Sequence, residues 1–152
     1  MEIASGLTVA APRRQVWDFL ADSKLLSGCV HGQEDVEIGD DGLSFAGPAT
    51  ILLGSRALRF PASVTWLEQQ PHVGGRLRAS ALIGGHEFAG QGTIRLDDVD
   101  EGTAVRWQLD IVLPPLLQEN RLLAQLVQNI AGAVVERVFS CVQAHLREVN
   151  GG

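Results

Sequence analysis

The sequence predicts an α+β domain in which a curved antiparallel sheet of six to seven strands wraps one long C-terminal helix. Three observations carry this. Apolar residues recur with a period of two from Leu43 to Ile111. Turn signals cut that stretch into strand-length pieces. After Pro114-Pro115 the period changes to that of an amphipathic helix, and it holds to the C-terminus.

The elements follow in order. Ile3, Ser5, Leu7 and Val9 alternate with Glu2, Ala4, Gly6 and Thr8 and read as a first strand, stopped by Ala11-Pro12. Pro12 suits a helix start, and Val16, Trp17, Phe19 and Leu20 follow at helical spacing, so a short helix is expected over 12–20. Asp22-Ser23 caps a second short helix, expected to pass through Leu26 and end at Gly28. Val36 and Ile38 lie in an acidic stretch from Glu34 to Asp41, closed by Gly39-Asp40-Asp41-Gly42.

The inward phases of the later strands then run through Phe45, Gly47, Ala49, Ile51 and Leu53; Leu58, Phe60, Ala62, Val64 and Trp66; Leu77, Ala79, Ala81 and Ile83; Phe88, Gly90, Gly92, Ile94 and Leu96; and Val105, Trp107, Leu109 and Ile111. Gly54-Ser55, Gln69-Gln70-Pro71-His72, Gly84-Gly85 and the Asp97–Gly102 run join them. The final helix, expected from Pro115 with Gly151 past its end, has a polar stripe that includes Gln118, Arg121, Gln125 and Gln128. Its apolar face carries Leu123, Leu126, Val127, Ile130, Val134, Val138 and Cys141. A length near 30 residues corresponds to roughly 45 Å. No repeat or linker divides the chain, so 1–149 reads as one domain. Only the final helix is large enough to cover a face of the sheet.

Composition narrows the function. The 152 residues can bury a substantial core, and 45% hydrophobic with 20% charged residues is ordinary for a globular protein. A net charge of −6 argues against nucleic-acid binding and against simple attraction to anionic lipid. Arg56, Arg59, Arg76 and Arg78 are the candidates for a basic patch, and their spacing fits solvent-facing strand positions. The N-terminus lacks a basic and then apolar leader, and no apolar run is expected to reach a membrane span. Cys29 and Cys141 form no zinc or redox motif, so a cytoplasmic protein with two reduced thiols is the expectation.

Two segments carry a family resemblance. Val9-Ala10-Ala11-Pro12 followed by Val16-Trp17 resembles the opening of the START-like (SRPBCC) helix-grip superfamily. Asp22 to Gly32, with Leu26, Cys29, Val30, His31 and Gly32, resembles the Asp-x-x-x-Leu-x-x-Cys-Ile-Pro-Gly segment of the carbon monoxide dehydrogenase CoxG family, with His31 where proline is usual. The resemblance extends to about Leu146 and includes Gly90-Gln91-Gly92. It implies a helix-grip fold with an internal cavity for lipids, polyketides or other apolar molecules. It also implies an accessory role beside molybdenum hydroxylases, linked to maturation, membrane recruitment and quinone handling. Some relatives carry a C-terminal tail suited to membrane association, which a chain ending at Gly152 is expected to lack.

The residue census points to binding rather than catalysis. The inward phases hold no Asp, Glu, His or Lys, and the chain has no Tyr. Small residues leave room beside large ones. The expected cavity lining is Phe45, Phe60, Trp66, Ala79, Ala81, Phe88, Gly90, Trp107, Leu123, Val127 and Ile130, with Leu26, Cys29 and His31 at its mouth. Trp17 is assigned to the core. Gly90-x-Gly92 is assigned to bulges or to close packing against the long helix, not to a nucleotide. Cys29-x-His31 lacks a third ligand, His86-Glu87 lacks a zincin partner, and the acidic turns lack calcium-loop spacing, so no metal and no cofactor are expected. The alternatives are a cyclase/aromatase-like or hydrolase enzyme, which needs polar groups in the cavity, and a protein-interaction subunit with a filled core. A cavity below about 300 Å³ supports the filled core. A redox-enzyme partner follows only from the resemblance, and a homodimer through edge-strand pairing is left open.

Overall fold

A computed structural model describes residues 1–32 and 35–150, without the side chain of Leu53. Gln33 and Glu34, Gly151 and Gly152 lie outside the described residues, and with them the start of the acidic stretch and the glycine expected to end the last helix. The elements are β1 (Glu2–Val9), α1 (Arg13–Ala21), α2 (Ser23–His31), β2 (Glu37–Ile38), β3 (Ser44–Leu53), β4 (Arg56–Gln70), β5 (Gly74–Ile83), β6 (His86–Val99), β7 (Gly102–Val112) and α3 (Arg121–Val149). The sheet is antiparallel with order β1-β7-β6-β5-β4-β3-β2. The fold is thus the α+β helix grip that the sequence predicts.

Two helix boundaries differ from expectation. The α2 helix passes Gly28 and ends after His31, where Gly32 takes φ 67°. A β-carbon at Gly28 would touch nothing within 4 Å, so that glycine is tolerated in the helix rather than needed to stop it. The Asp22 carboxylate starts α2 by accepting from the Lys24 and Leu25 amides. The long helix does not begin at Pro115. Pro115–Leu117 forms a single 3₁₀ turn, and Asn120 caps α3 by accepting from the Leu123 amide at 3.1 Å. An asparagine cap decides the start because it satisfies an end amide that a proline only omits.

The uncharged stretch from Leu122 to Val135 makes α3 long and apolar enough to cross a membrane by length and composition, with mean hydropathy 1.2, contrary to the expectation. In the fold, Ile130, Phe139, Val142 and Leu146 of this helix are buried against the sheet and the short helices.

The core has two unequal parts. The larger gathers α1, α2, the C-terminal half of α3 and the sheet ends near Phe45, Trp66, Leu96 and Val105. The smaller holds Ala49, Ile51, Phe60 and Ile130, with Leu58, Ala62, Ala81, Ile83 and Val134 against them. Thr103, fully buried, donates to the Ala11 carbonyl at 2.8 Å and ties β7 to the start of α1.

β2 covers β3 only at Phe45 and Ala46. Beyond that point no strand pairs with the edge of β3 among the described residues, and side chains from the helices bond its carbonyls. His31 bonds the Pro48 carbonyl at 3.0 Å, and Arg137 donates to the Thr50 carbonyl and, at 2.8 Å, to the Val30 carbonyl. Beside them Cys29 and Cys141 form a disulfide with Cα atoms 5.6 Å apart. The expectation of two reduced thiols is therefore corrected. Sequence separation of 112 residues hid the pairing, because only the packing of α2 on α3 brings these sulfurs together.

Candidate ligand cavity

Between the two core parts lies a cavity of about 250 Å³. Its walls come from every layer of the grip. α1 and α2 supply Leu20, Leu26 and Val30. β3 and β4 supply Phe45, Phe60, Ala62 and Val64, and β5 to β7 supply Ala79, Ala81, Phe88, Gly90, Trp107 and Leu109. α3 supplies Val127, Ile130, Ala131, Val134, Val138 and Phe139. The lining is almost wholly apolar. Ser63, Ser80, Thr93 and Gln108 border it from the outward strand phase, and Ser63 and Ser80 bond one another at 2.6 Å. The alternation of strand side chains explains the rest: one phase of five strands faces the helix, and that phase is apolar.

Of the residues expected to line a cavity, Phe45, Phe60, Ala79, Ala81, Phe88, Gly90, Trp107, Val127 and Ile130 meet in this space. Trp66 and Leu123 do not. Trp66 packs on Trp17 with ring centroids 5.6 Å apart, 3% exposed, in the solid core under α1. Leu123 sits in the first turn of α3, ahead of the stripe at Val127, Ile130, Val134 and Val138 that faces the sheet. The wall residues outside that expectation include Leu20, Val30, Ala131, Val135 and Phe139. The 3.6-residue spacing from Val127 carried the signal for Ala131 and Val135, whereas Leu20 and Val30 read as apolar helix residues with no local sign that they face the sheet.

Of the three expected mouth residues only Leu26 reaches the cavity. Cys29 is held in the disulfide. His31 is 2% exposed and stands edge-on to Phe45, ring centroids 5.6 Å apart, one layer behind the cavity wall. Its partner is a carbonyl, so Nδ1 must carry the proton, and Nε2 has no protein partner among the described residues. Burial pushes the imidazole below its ordinary pKa; the Pro48 bond opposes this and the charge of Arg137 adds to it.

Gly90 and Gly92 also have a different reason from the one expected. The β5–β6 and β6–β7 registers are unbroken across them, so there is no bulge. A β-carbon on Gly90 would lie 2.8 Å from the Asp110 carbonyl oxygen and 3.3 Å from Leu109 Cδ1. The neighbouring strand β7, not α3, occupies the space.

A larger, open depression of about 570 Å³ lies on the outward phase of β3 to β6, around Pro48, Pro61, Ser63, Ser80, Leu82 and Glu87. Pro48 and Pro61 face each other across the β3–β4 ladder. Among the described residues no three His, Cys, Asp or Glu side chains gather as a metal site.

The family model for the CoxG subunit of carbon monoxide dehydrogenase matches residues 6–147. The chain belongs to the CoxG family. Several solved structures share its fold. A conserved protein from Geobacillus kaustophilus superposes with TM-score 0.79 at 16% identity, covering 97% of this chain and 96% of that one. A Mycobacterium smegmatis protein gives TM-score 0.70 at 12% identity, covering 97% and 92%. The di-domain ARO/CYC StfQ from the steffimycin biosynthetic pathway gives 0.63 at 11% identity, and this CoxG-family chain spans 52% of it. At such identities the likeness is one of fold. No curated protein matches the chain.

Proposed function

We propose that this CoxG-family protein binds an apolar small molecule of lipid or quinone type between α3 and the sheet, and serves as an accessory protein to a molybdenum hydroxylase or carbon monoxide dehydrogenase-type system in the cytoplasm. The apolar lining of the cavity supports the reading. Binding there gains about 25 cal/mol for each Å² of apolar ligand surface removed from water, and no charged group must be desolvated. The same lining gives a cyclase or hydrolase nothing to move a proton with, since no ionisable side chain borders the cavity among the described residues. The partner enzyme follows from family membership alone.

The cavity volume favours a second reading. About 250 Å³ falls under the roughly 300 Å³ at which ligand pockets begin, as a protein-interaction subunit with a filled core would show. The two readings part on one point. A binder must enlarge this space, and the segment able to yield is the first half of α3, where Leu122 is 84% and Leu126 is 42% exposed. Native mass spectrometry with organic extraction of the purified protein decides. Co-purified lipid or quinone, or uptake of added quinone, is the expected result. Failure of both selects the interaction subunit.

A further inference from the structure

The sheet ends in two unlike edges. On the β3 edge, β2 pairs at Phe45 and Ala46, Pro48 has no amide to offer, and His31 and Arg137 take the Pro48 and Thr50 carbonyls. Such devices keep an edge strand from pairing with another chain. The β1 edge has none of them. Its sequence holds no Pro, Lys or Arg, its register on β7 is unbroken, and β7 alone pairs with it among the described residues. Met1 bonds Ile111 through both its ammonium and its carbonyl, so alternate residues from Met1 onward turn their backbone groups to β7. The amides and carbonyls of Glu2, Ala4, Gly6 and Thr8 therefore point to the open edge, and all four residues are exposed.

We propose that β1 is a homodimer interface, pairing antiparallel with β1 of a second copy about a two-fold axis at Ser5 to make one continuous sheet. The sequence leaves such a dimer open, and the contrast between the edges selects the strand. In this register Glu2 meets the second copy's Thr8 and Ala4 meets its Gly6, and each pair exchanges two backbone bonds. No open-edge group between Glu2 and Thr8 is left over. The side chains agree. Exposed Ser5 meets its own counterpart at the axis, and half-buried Ile3 lies beside the second copy's Leu7 on the inner face, apolar against apolar. A net charge of −6 on each copy opposes association, but Glu2 is the one ionisable side chain of β1. The two Glu2 carboxylates stand at opposite ends of the paired strands, about 20 Å apart and well beyond a Debye length of about 8 Å. Because the guarded β3 edge does not accept β1, association closes at two copies instead of growing into a chain.

Sedimentation equilibrium of the ligand-free full chain tests the interface. A reversible species of twice the chain mass is expected at tens of micromolar. Ala4→Pro removes an amide that faces the second copy and none that faces β7, so the domain keeps its fold. Its dimer dissociation constant should rise at least about tenfold, since two bonds are lost across the axis. Ser5→Lys leaves every backbone group in place, sets two ammonium groups together at the axis, and should weaken the dimer likewise. The register has its own readout. Both native cysteines are tied to each other, so an added thiol is free to cross-link copies. Facing Ser5 positions lie about 4.5 Å apart between Cα atoms, within disulfide reach, so Ser5→Cys should cross-link under mild oxidation at least about tenfold faster than Thr8→Cys. A chain that stays monomeric overturns the proposal. So does a dimer unmoved by both Ala4→Pro and Ser5→Lys, and so does equal cross-linking of the two cysteine variants.

Discussion

Two buried polar side chains hold the ends of the grip together, and each makes a measurable prediction. Thr103 is fully buried and its hydroxyl meets the Ala11 carbonyl. Replacing it with valine keeps the shape and leaves that acceptor unpaired, which costs about 1–3 kcal/mol. Urea unfolding should show the loss, with an unchanged slope on denaturant. His31 contributes a pH dependence. Its folded-state pKa lies below the ordinary 6.5, so the folded protein binds the proton less readily than the unfolded chain does. Above pH 6.5 both states are neutral there and stability is full. As pH falls from 6.5 toward the lowered value, the unfolded state takes the proton first and stability declines, levelling off below it. The variant His31→Gln should lose this component of the decline between pH 7 and 5. An identical profile in the variant would remove His31 from the account.

At the scale of elements, the start of α3 and the path of β6 each depend on one residue. Asn120→Ala should cost about 1 kcal/mol, read as a lower melting temperature with faster amide exchange in the first turn of α3. Gly90→Ala should cost more than an ordinary alanine substitution, about 1–3 kcal/mol, because the new β-carbon meets the Asp110 carbonyl oxygen, a backbone atom held in the β6–β7 ladder. Most strand boundaries were legible because each hairpin carries its own turn chemistry: Gly42, Gly54, Gly84, Gly85 and Gly102 all have positive φ. The ends of α2 and the start of α3 were less legible. Gly28 imitates a stop signal and Pro115 a start signal, and local chemistry alone does not rank them against Gly32 and Asn120.

For the whole molecule, the question is whether the space between the two core parts is used. Ala79→Leu and Ala81→Leu each place a larger side chain into the cavity wall. Overpacking costs about 1–3 kcal/mol, tolerable in a folded domain. Uptake of an added quinone should then fall at least about tenfold, measured by fluorescence quenching of Trp107, a wall residue, with Trp17 and Trp66 replaced by Phe in both parent and variants. Undiminished uptake would place the ligand elsewhere. The Cys29–Cys141 disulfide belongs to this scale too. A cross-link closing a loop of 112 residues stabilises by restricting the unfolded chain, typically about 2–5 kcal/mol when removed. Reduced protein should therefore unfold at lower urea.

By itself the sequence determined the class of fold, the strand phases, and the apolar character of the interior. These follow from side-chain periodicity, which is local and survives without any knowledge of neighbours. Tertiary structure alone decided which apolar residues face empty space and which face each other. Trp66 and Trp107 share a strand phase, yet one packs on Trp17 in solid core and the other lines the cavity. It also decided the cluster of side chains at the uncovered edge of β3. Cys29 and His31 share no motif with Arg137 and Cys141, and the four become one assembly only because α2 and α3 pack together over the uncovered edge of β3. Contacts between residues a hundred positions apart depend on how elements pack, and no local pattern encodes them.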